Sequence, residues 1–206
     1  MAKQFEEKQF NIPDLKGISN QTVEEHLKLY TGYVKNANLI LAKVDEYSED
    51  ASPLVGAGEE HAYALSEIQR RFGFEFDGLR NHEYYFAHLE NGSTPLTASS
   101  PLHKAIEEGW GTYDRWFARF KKMAMTRGVG WAVLYYDKHT DQLLNSWIDE
   151  QHLGHLTGLS PILMLDMWEH SFVADYQPSG KKQYVEDFFT NLNWQSCEKN
   201  LEEAKS

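Results

Sequence analysis

Cysteine is nearly missing from this chain: the 206 residues include one, Cys197, so no intramolecular disulfide can form and no thiolate zinc cluster can be built. Cys197 is expected to be an inert thiol near the C-terminal end. Long apolar runs are missing too. No stretch approaches the length of a transmembrane helix, and Met1 to Asn11 is too charged for a secretory signal, which points to a cytoplasmic protein with no membrane partner. Basic residues are scarce: 20 Lys and Arg stand against 31 Asp and Glu, a formal net charge of -11. None of the Lys/Arg runs is long enough to form the basic stripe that nucleic acid requires. The same global charge would repel an anionic substrate, so attraction for an anion must be local.

Aromatic residues are plentiful, at 14% with six Trp, and they mark a globular chain rather than a disordered one. The length suits one compact unit or two small intimate lobes. Ser19 ahead of Gln21-Thr22-Val23 reads as an N-cap, with helix to about Val44 and a polar turn from Asp45 to Gly58. Further helical runs cover Glu59 to Arg71 and Gly78 to Leu89, the latter ended by Asn91-Gly92. Beyond Pro95 the pattern predicts helices over Pro101 to Gly109 and Thr112 to Met125. Strands follow over Gly130 to Tyr136, Gln142 to Ile148 and Ser160 to Leu165, with a hairpin turn at Asp137 to Asp141, and a last helix from Gly180 to Asn191. The fold class is therefore α+β, with a helical hairpin lobe over residues 1–92 and an α/β lobe over residues 93–206 that holds a small three-stranded antiparallel sheet.

The chemistry concentrates near the end, where Pro161-Ile162-Leu163-Met164-Leu165 runs into Asp166-Met167-Trp168-Glu169-His170. A carboxylate and an imidazole four residues apart fit one helical turn, and burying either without a partner is costly. A cation held between them would offset that cost. Taken alone, the pair is better explained as a structural ion pair, so further ligands must decide. Two histidines lie upstream in helix-like surroundings: His26 between Val23 and Val34, and His82 in Arg80-Asn81-His82-Glu83-Tyr84-Tyr85-Phe86.

Taken together, these motifs resemble the iron/manganese superoxide dismutase family, with a His in the first long helix, Asn-His-x-aromatic-aromatic in another, and Asp-x-Trp-Glu-His near the C-terminus. The likeness runs from Ile18 to about Trp194. It includes Gly128-Val129-Gly130-Trp131 and a Tyr184 to Phe189 helix closing on Asn193-Trp194. The resemblance implies one iron or manganese ion per subunit, held by His26, His82, Asp166 and His170, with two ligands from each lobe. Three imidazoles and a carboxylate suit such a redox metal. It also implies superoxide as substrate, one molecule oxidised to dioxygen and a second reduced to hydrogen peroxide with uptake of two protons.

The roles carried over are specific. The group that tunes the site is Gln151, or its neighbour His152, because Gly78, four before His82, has no side chain to offer. Tyr33 matches the gateway Tyr, although it follows His26 by seven residues where most relatives have eight. Trp131 and Trp168 would wall the cavity, Phe86 replaces a usual Trp, and Glu169 would bridge to the His ligand of a second subunit in a homodimer or tetramer. A proton relay common in the family is missing both partners, with Leu29 or Tyr30 at one position and Val173 at the other, which leaves Tyr30 as the residue around which it could be rebuilt. Lys28, Lys181 and Lys182 are the candidates for local steering of the anion; His155 is expected to be a solvent-exposed loop residue. Two other readings stand beside the enzyme: a catalytically silent relative acting as an interaction module, and another His/carboxylate redox metalloenzyme.

Overall fold

Ser19 sets the start of the first helix, because its Oγ accepts the Thr22 N–H at 3.1 Å and its carbonyl accepts that of Val23. The computed structural model describes residues 3–48 and 58–206, with backbone alone at Glu59 and Glu60. In it α1 spans Asn20–Ser48 and buries Thr22, Val23, His26, Tyr30, Val34 and Ala37, a stripe at helical spacing. The predicted turn therefore begins later than Asp45. Its residues 49–57 lie outside the described residues.

Helix α2 covers Glu59–Ala87 without interruption and packs along α1. Two helices were expected on either side of Phe72 to Asp77. The segment stays helical because Arg71 pairs with Glu75 one turn on (2.9 Å), and Phe72 stacks on Phe76 at the same spacing. Gly78, which weakens a helix on its own, is required by tertiary contact: a Cβ there would lie 2.5 Å from Cδ1 of Tyr33 on α1. The hairpin expected from the sequence is thus two long helices in close approach.

Helix α3, Pro101–Trp110, is capped by Ser100, and α4, Tyr113–Ala124, by Thr112, each hydroxyl accepting a backbone N–H at 3.2 Å. Three strands follow: β1 Gly130–Asp137, β2 Gln142–Asp149 and β3 Ser160–Asp166. They form an antiparallel sheet in the order β2-β1-β3. As the central strand, β1 is buried along almost its whole length, which matches its near-continuous apolar run. Trp131 faces Ile148 on one side and Asp166 on the other. The chain then makes a 3-10 turn at Glu169–Ser171, a short α5 at Val173–Tyr176, a second 3-10 turn at Pro178–Gly180, and α6 over Lys181–Asn191.

A last helix, α7 at Trp194–Lys205, was not foreseen from the sequence. Asn193 caps it, and Trp194, Cys197 and Leu201 are buried on its inner face against β3 and α3. Cys197 is enclosed, and burial pushes its thiol up, as suits an unreactive group. The segment before α1 also has fixed partners: Phe5 N–H bonds Asn38, Lys8 N–H bonds Tyr30, and Lys16 N–H bonds Asn191. No helix among the described residues is long and apolar enough to cross a membrane.

Candidate metal centre

Four side chains from three regions of the chain meet at one point. His26 comes from α1, His82 from α2, Asp166 from the last residue of β3 and His170 from the 3-10 turn that follows. Their ligand atoms all lie within 4.8 Å of one another. The three Nε2 atoms stand 3.1, 3.7 and 3.2 Å from Oδ2 of Asp166, for His26, His82 and His170 in turn.

Asp166 and His170 are not on a helical turn. Asp166 remains in the ladder opposite Trp131, and Met167 N–H continues it by donating to the Gly130 carbonyl at 2.9 Å, so the backbone there is extended. The turn forms two residues later. Trp168 N–H then donates to Oδ1 of Asp166 at 2.7 Å, which leaves Oδ2 directed at the imidazoles.

Protonation favours a cation at the centre. Nδ1 of His82 is 2.6 Å from the Gly78 carbonyl, an acceptor, so Nδ1 carries the hydrogen and Nε2 presents a lone pair. That Nε2 is buried with no hydrogen-bond partner and faces the Asp166 carboxylate, so its lone pair is free for a metal. Burial, with His26 beside it, lowers the His82 pKa to about 3, and burial also lowers that of His26. Burial opposes the charge on Asp166, but His170 beside it and hydrogen bonds from His170 and His26 outweigh this, holding the carboxyl well below the usual range. Three imidazoles around one carboxylate form a donor set for iron or manganese.

Around this cluster the loop after β2 contributes Gln151, which is fully buried. Its Oε1 accepts Trp131 Nε1–H at 2.9 Å, and its Nε2 donates to the Tyr33 hydroxyl at 3.0 Å. Of the two sequence candidates, Gln151 enters the network and His152 turns aside, its ring edge-on to Phe74 and its buried Nδ1 unpaired. Tyr33 lies against the His82 ring at 5.0 Å, so seven residues along an unbroken α1 suffice to bring it beside the ligands. Burial, and Asp166 after it, raises the Tyr33 phenol, while the Gln151 amide acts the other way. Trp131 packs edge-on to His82 at 5.1 Å, Trp168 stacks on His170 at 5.7 Å, and Phe86 packs on His26 at 5.0 Å.

Some predicted residues do not join. Tyr30 is buried, but its hydroxyl accepts from Lys8 N–H and donates to Glu83 at 3.2 Å; neither partner belongs to the four-residue cluster. Lys28 is exposed and paired with Glu25 at 2.6 Å, which cancels its charge locally. Lys181 donates to the Thr126 carbonyl at 2.9 Å, and Lys182 lies in a groove with Lys121, Lys122 and Met125. Neither lysine bonds a ligand of the cluster. Glu169 is exposed beside His170, the one partly exposed ligand.

Residues missed by sequence reasoning complete the surroundings. Phe74 touches Tyr33, His152 and Trp168, and no sequence signal marks it. Tyr184 donates to the backbone carbonyl of Asp166 at 2.9 Å. Asn81 donates to the Gln151 carbonyl at 2.8 Å; its place next to His82 was a usable hint. His155, expected in solvent, is half-buried and bonded at both ring nitrogens.

Known proteins match along the same residues. The family profile described as iron/manganese superoxide dismutases, C-terminal domain, matches residues 98–200. A protein of Mycobacterium lepraemurium named as a manganese superoxide dismutase is 32% identical over 96% of this chain and 95% of its own length. Proteins of Aquifex pyrophilus and Cupriavidus metallidurans named as iron superoxide dismutases are each 32% identical, over 93% and 88% of this chain and 87% of their own lengths. Since this identity spans both the helical hairpin and the sheet that carry the four ligands, the chain belongs to the iron/manganese superoxide dismutase family.

Proposed function

We propose that this protein disproportionates superoxide to dioxygen and hydrogen peroxide, using one iron or manganese ion per subunit held by His26, His82, Asp166 and His170. The observation that carries the reading is the convergence of three Nε2 atoms on one carboxylate, with that of His82 buried and unpartnered. When bound, the ion supplies a one-electron couple between its divalent and trivalent states. The chain supplies the rest. Gln151 donates to the Tyr33 hydroxyl and is itself oriented by Trp131, a chain of hydrogen bonds that holds a phenolic proton beside the ligands. In this reading Trp131, Trp168 and Phe86, packed against the three imidazoles, leave the site to a small anion rather than to the substrates of an oxygenase.

In this reading the ion joins lobe 1–92 to lobe 93–206, two ligands from each. Glu169, exposed beside the partly exposed His170, serves as the bridge to a second subunit in a homodimer or tetramer. The complete ligand set favours an enzyme over a silent relative. A cytoplasmic location is part of the same proposal and is checked by cell fractionation.

The test is reconstitution of metal-free protein with iron and with manganese separately, followed by metal analysis and superoxide consumption. At least one metal is expected to bind at about one ion per chain and restore dismutation, and His170→Ala is expected to lose both. Full metal content without dismutation would overturn the enzymatic reading.

A further inference from the structure

We propose that His155 is a positioning residue of this site: it anchors the Gln151 backbone to Tyr135 of the sheet, so that the Gln151 amide is held against the Tyr33 hydroxyl. The inference rests on the role given to Gln151 above.

The hydrogen-bond chemistry fixes the Gln151 side of this contact. Nε2 of His155 is 3.2 Å from the Gln151 carbonyl, and Nδ1 is 2.6 Å from the Tyr135 hydroxyl. A carbonyl only accepts, so Nε2 carries the hydrogen and donates it. The Tyr135 hydroxyl, which can donate or accept, completes the other side of the ring at Nδ1. Tyr135 is buried on the central strand β1, four residues beyond Trp131, so both side chains leave the same face of one strand. That strand thus holds Gln151 twice: at its side chain through Trp131, and at its main chain through Tyr135 and His155.

The loop is closed at its base by paired backbone hydrogen bonds between Asp149 and Leu153, and Glu150 N–H bonds the Val129 carbonyl, but none of these holds the Gln151 carbonyl. Asn81 holds the Gln151 carbonyl from the α2 side at 2.8 Å. His155 holds it from the sheet side, and the two together fix a carbonyl whose displacement by a few tenths of an ångström would lengthen the 3.0 Å amide-to-phenol bond. Groups that hydrogen-bond metal ligands directly typically alter activity by about 10- to 100-fold, and His155, acting through Gln151 and Tyr33, belongs at the low end of that range.

The experiment compares His155→Leu, His155→Gln and Tyr135→Phe with the parent protein. Two readouts are taken: kcat and KM at measured metal content after loading with the active metal, and the Gln151 side-chain amide resonances of the zinc-loaded, diamagnetic protein, identified by their loss in Gln151→Ala. His155→Leu is expected to lower kcat about tenfold at unchanged metal content and KM, and to shift and deprotect the Gln151 amide. His155→Gln, which returns a donor near the place of Nε2, is expected to restore both. Tyr135→Phe keeps the imidazole but removes its partner at Nδ1, and should move the amide resonance in the same direction by less; it also serves if the leucine variant fails to fold. An unchanged amide resonance with parental kcat in both His155→Leu and Tyr135→Phe would overturn the proposal. Failure of the underlying reading looks different: Gln151→Ala would then keep full kcat, or the parent would not dismute superoxide at all, while the amide resonances still report whether His155 holds Gln151.

Discussion

At Gly78 two local preferences oppose each other. A glycine inside a helix costs about 1 kcal/mol relative to alanine, and α2 would gain that much from Gly78→Ala. Yet the added Cβ would sit 2.5 Å from Cδ1 of Tyr33, and overpacking of this kind costs about 1–3 kcal/mol. The ring is confined by Phe74, His82 and the bond from Gln151, so it has little room to yield. Gly78→Ala is therefore expected to lower stability by about 1 kcal/mol net and to reduce kcat through Tyr33, measured by denaturant unfolding and steady-state kinetics. A more stable variant with full activity would mean that the ring moves freely. The four clustered side chains were legible at this scale because each sits in a distinctive local motif. Phe74 and His155 were not, since neither carries a local pattern and their partners are distant in sequence.

Elements follow the sequence where both caps and periodicity agree, as in α3, α4 and the three strands. They depart where a long-range contact overrides a local signal. Helix α2 runs through Gly73 and Gly78 because α1 packs there, and the Asp166 to His170 segment is extended before it turns because β1 claims its backbone. The overlooked α7 is the largest departure. It covers β3, donating from Asn200 to the Ile162 carbonyl at 3.1 Å and filling the space behind the strand with Leu201. Leu201→Ala is expected to destabilise the protein by about 2–4 kcal/mol while leaving the kcat of the folded fraction unchanged, because α7 carries none of the four clustered side chains. Thermal unfolding with activity measured well below the transition separates the two effects.

For the molecule as a whole, buried histidines set the response to acid. His88 joins α2 to β3 and α7: its Nε2 accepts Met164 N–H at 3.1 Å, and its Nδ1 lies 2.7 Å from the Ser196 hydroxyl. Burial lowers its pKa from 6.5 to about 3. The unfolded chain therefore takes up a proton below pH 6.5 that the folded protein refuses down to about pH 3, so this contribution is complete above pH 6.5 and is lost on acidification through that window. The slope it adds is about 1.4 kcal/mol per pH unit. His88→Asn should remove about that much from the pH dependence of unfolding between pH 6 and 4, whatever it does to stability at neutral pH. Metal removal acts at the same scale. Ligands from α1, α2 and the end of β3 are drawn to one point, so a bound ion stabilises the folded state by mass action, about 4 kcal/mol at a thousandfold excess over its Kd. Chelation is expected to lower the Tm accordingly, and readdition of metal to restore it.

The sequence by itself determined the helical hairpin, the three-stranded antiparallel sheet, the family and the identity of the four converging side chains, because periodicity, caps and short motifs are local and survive without coordinates. Tertiary structure alone decided what surrounds them: that Gln151 rather than His152 reaches Tyr33, that Tyr30 bonds Glu83 instead of the site, that Lys28 is neutralised by Glu25, and that α7 covers β3. Each of these is a choice among partners far apart in the chain, settled by packing and by the need of every buried donor and acceptor for a mate.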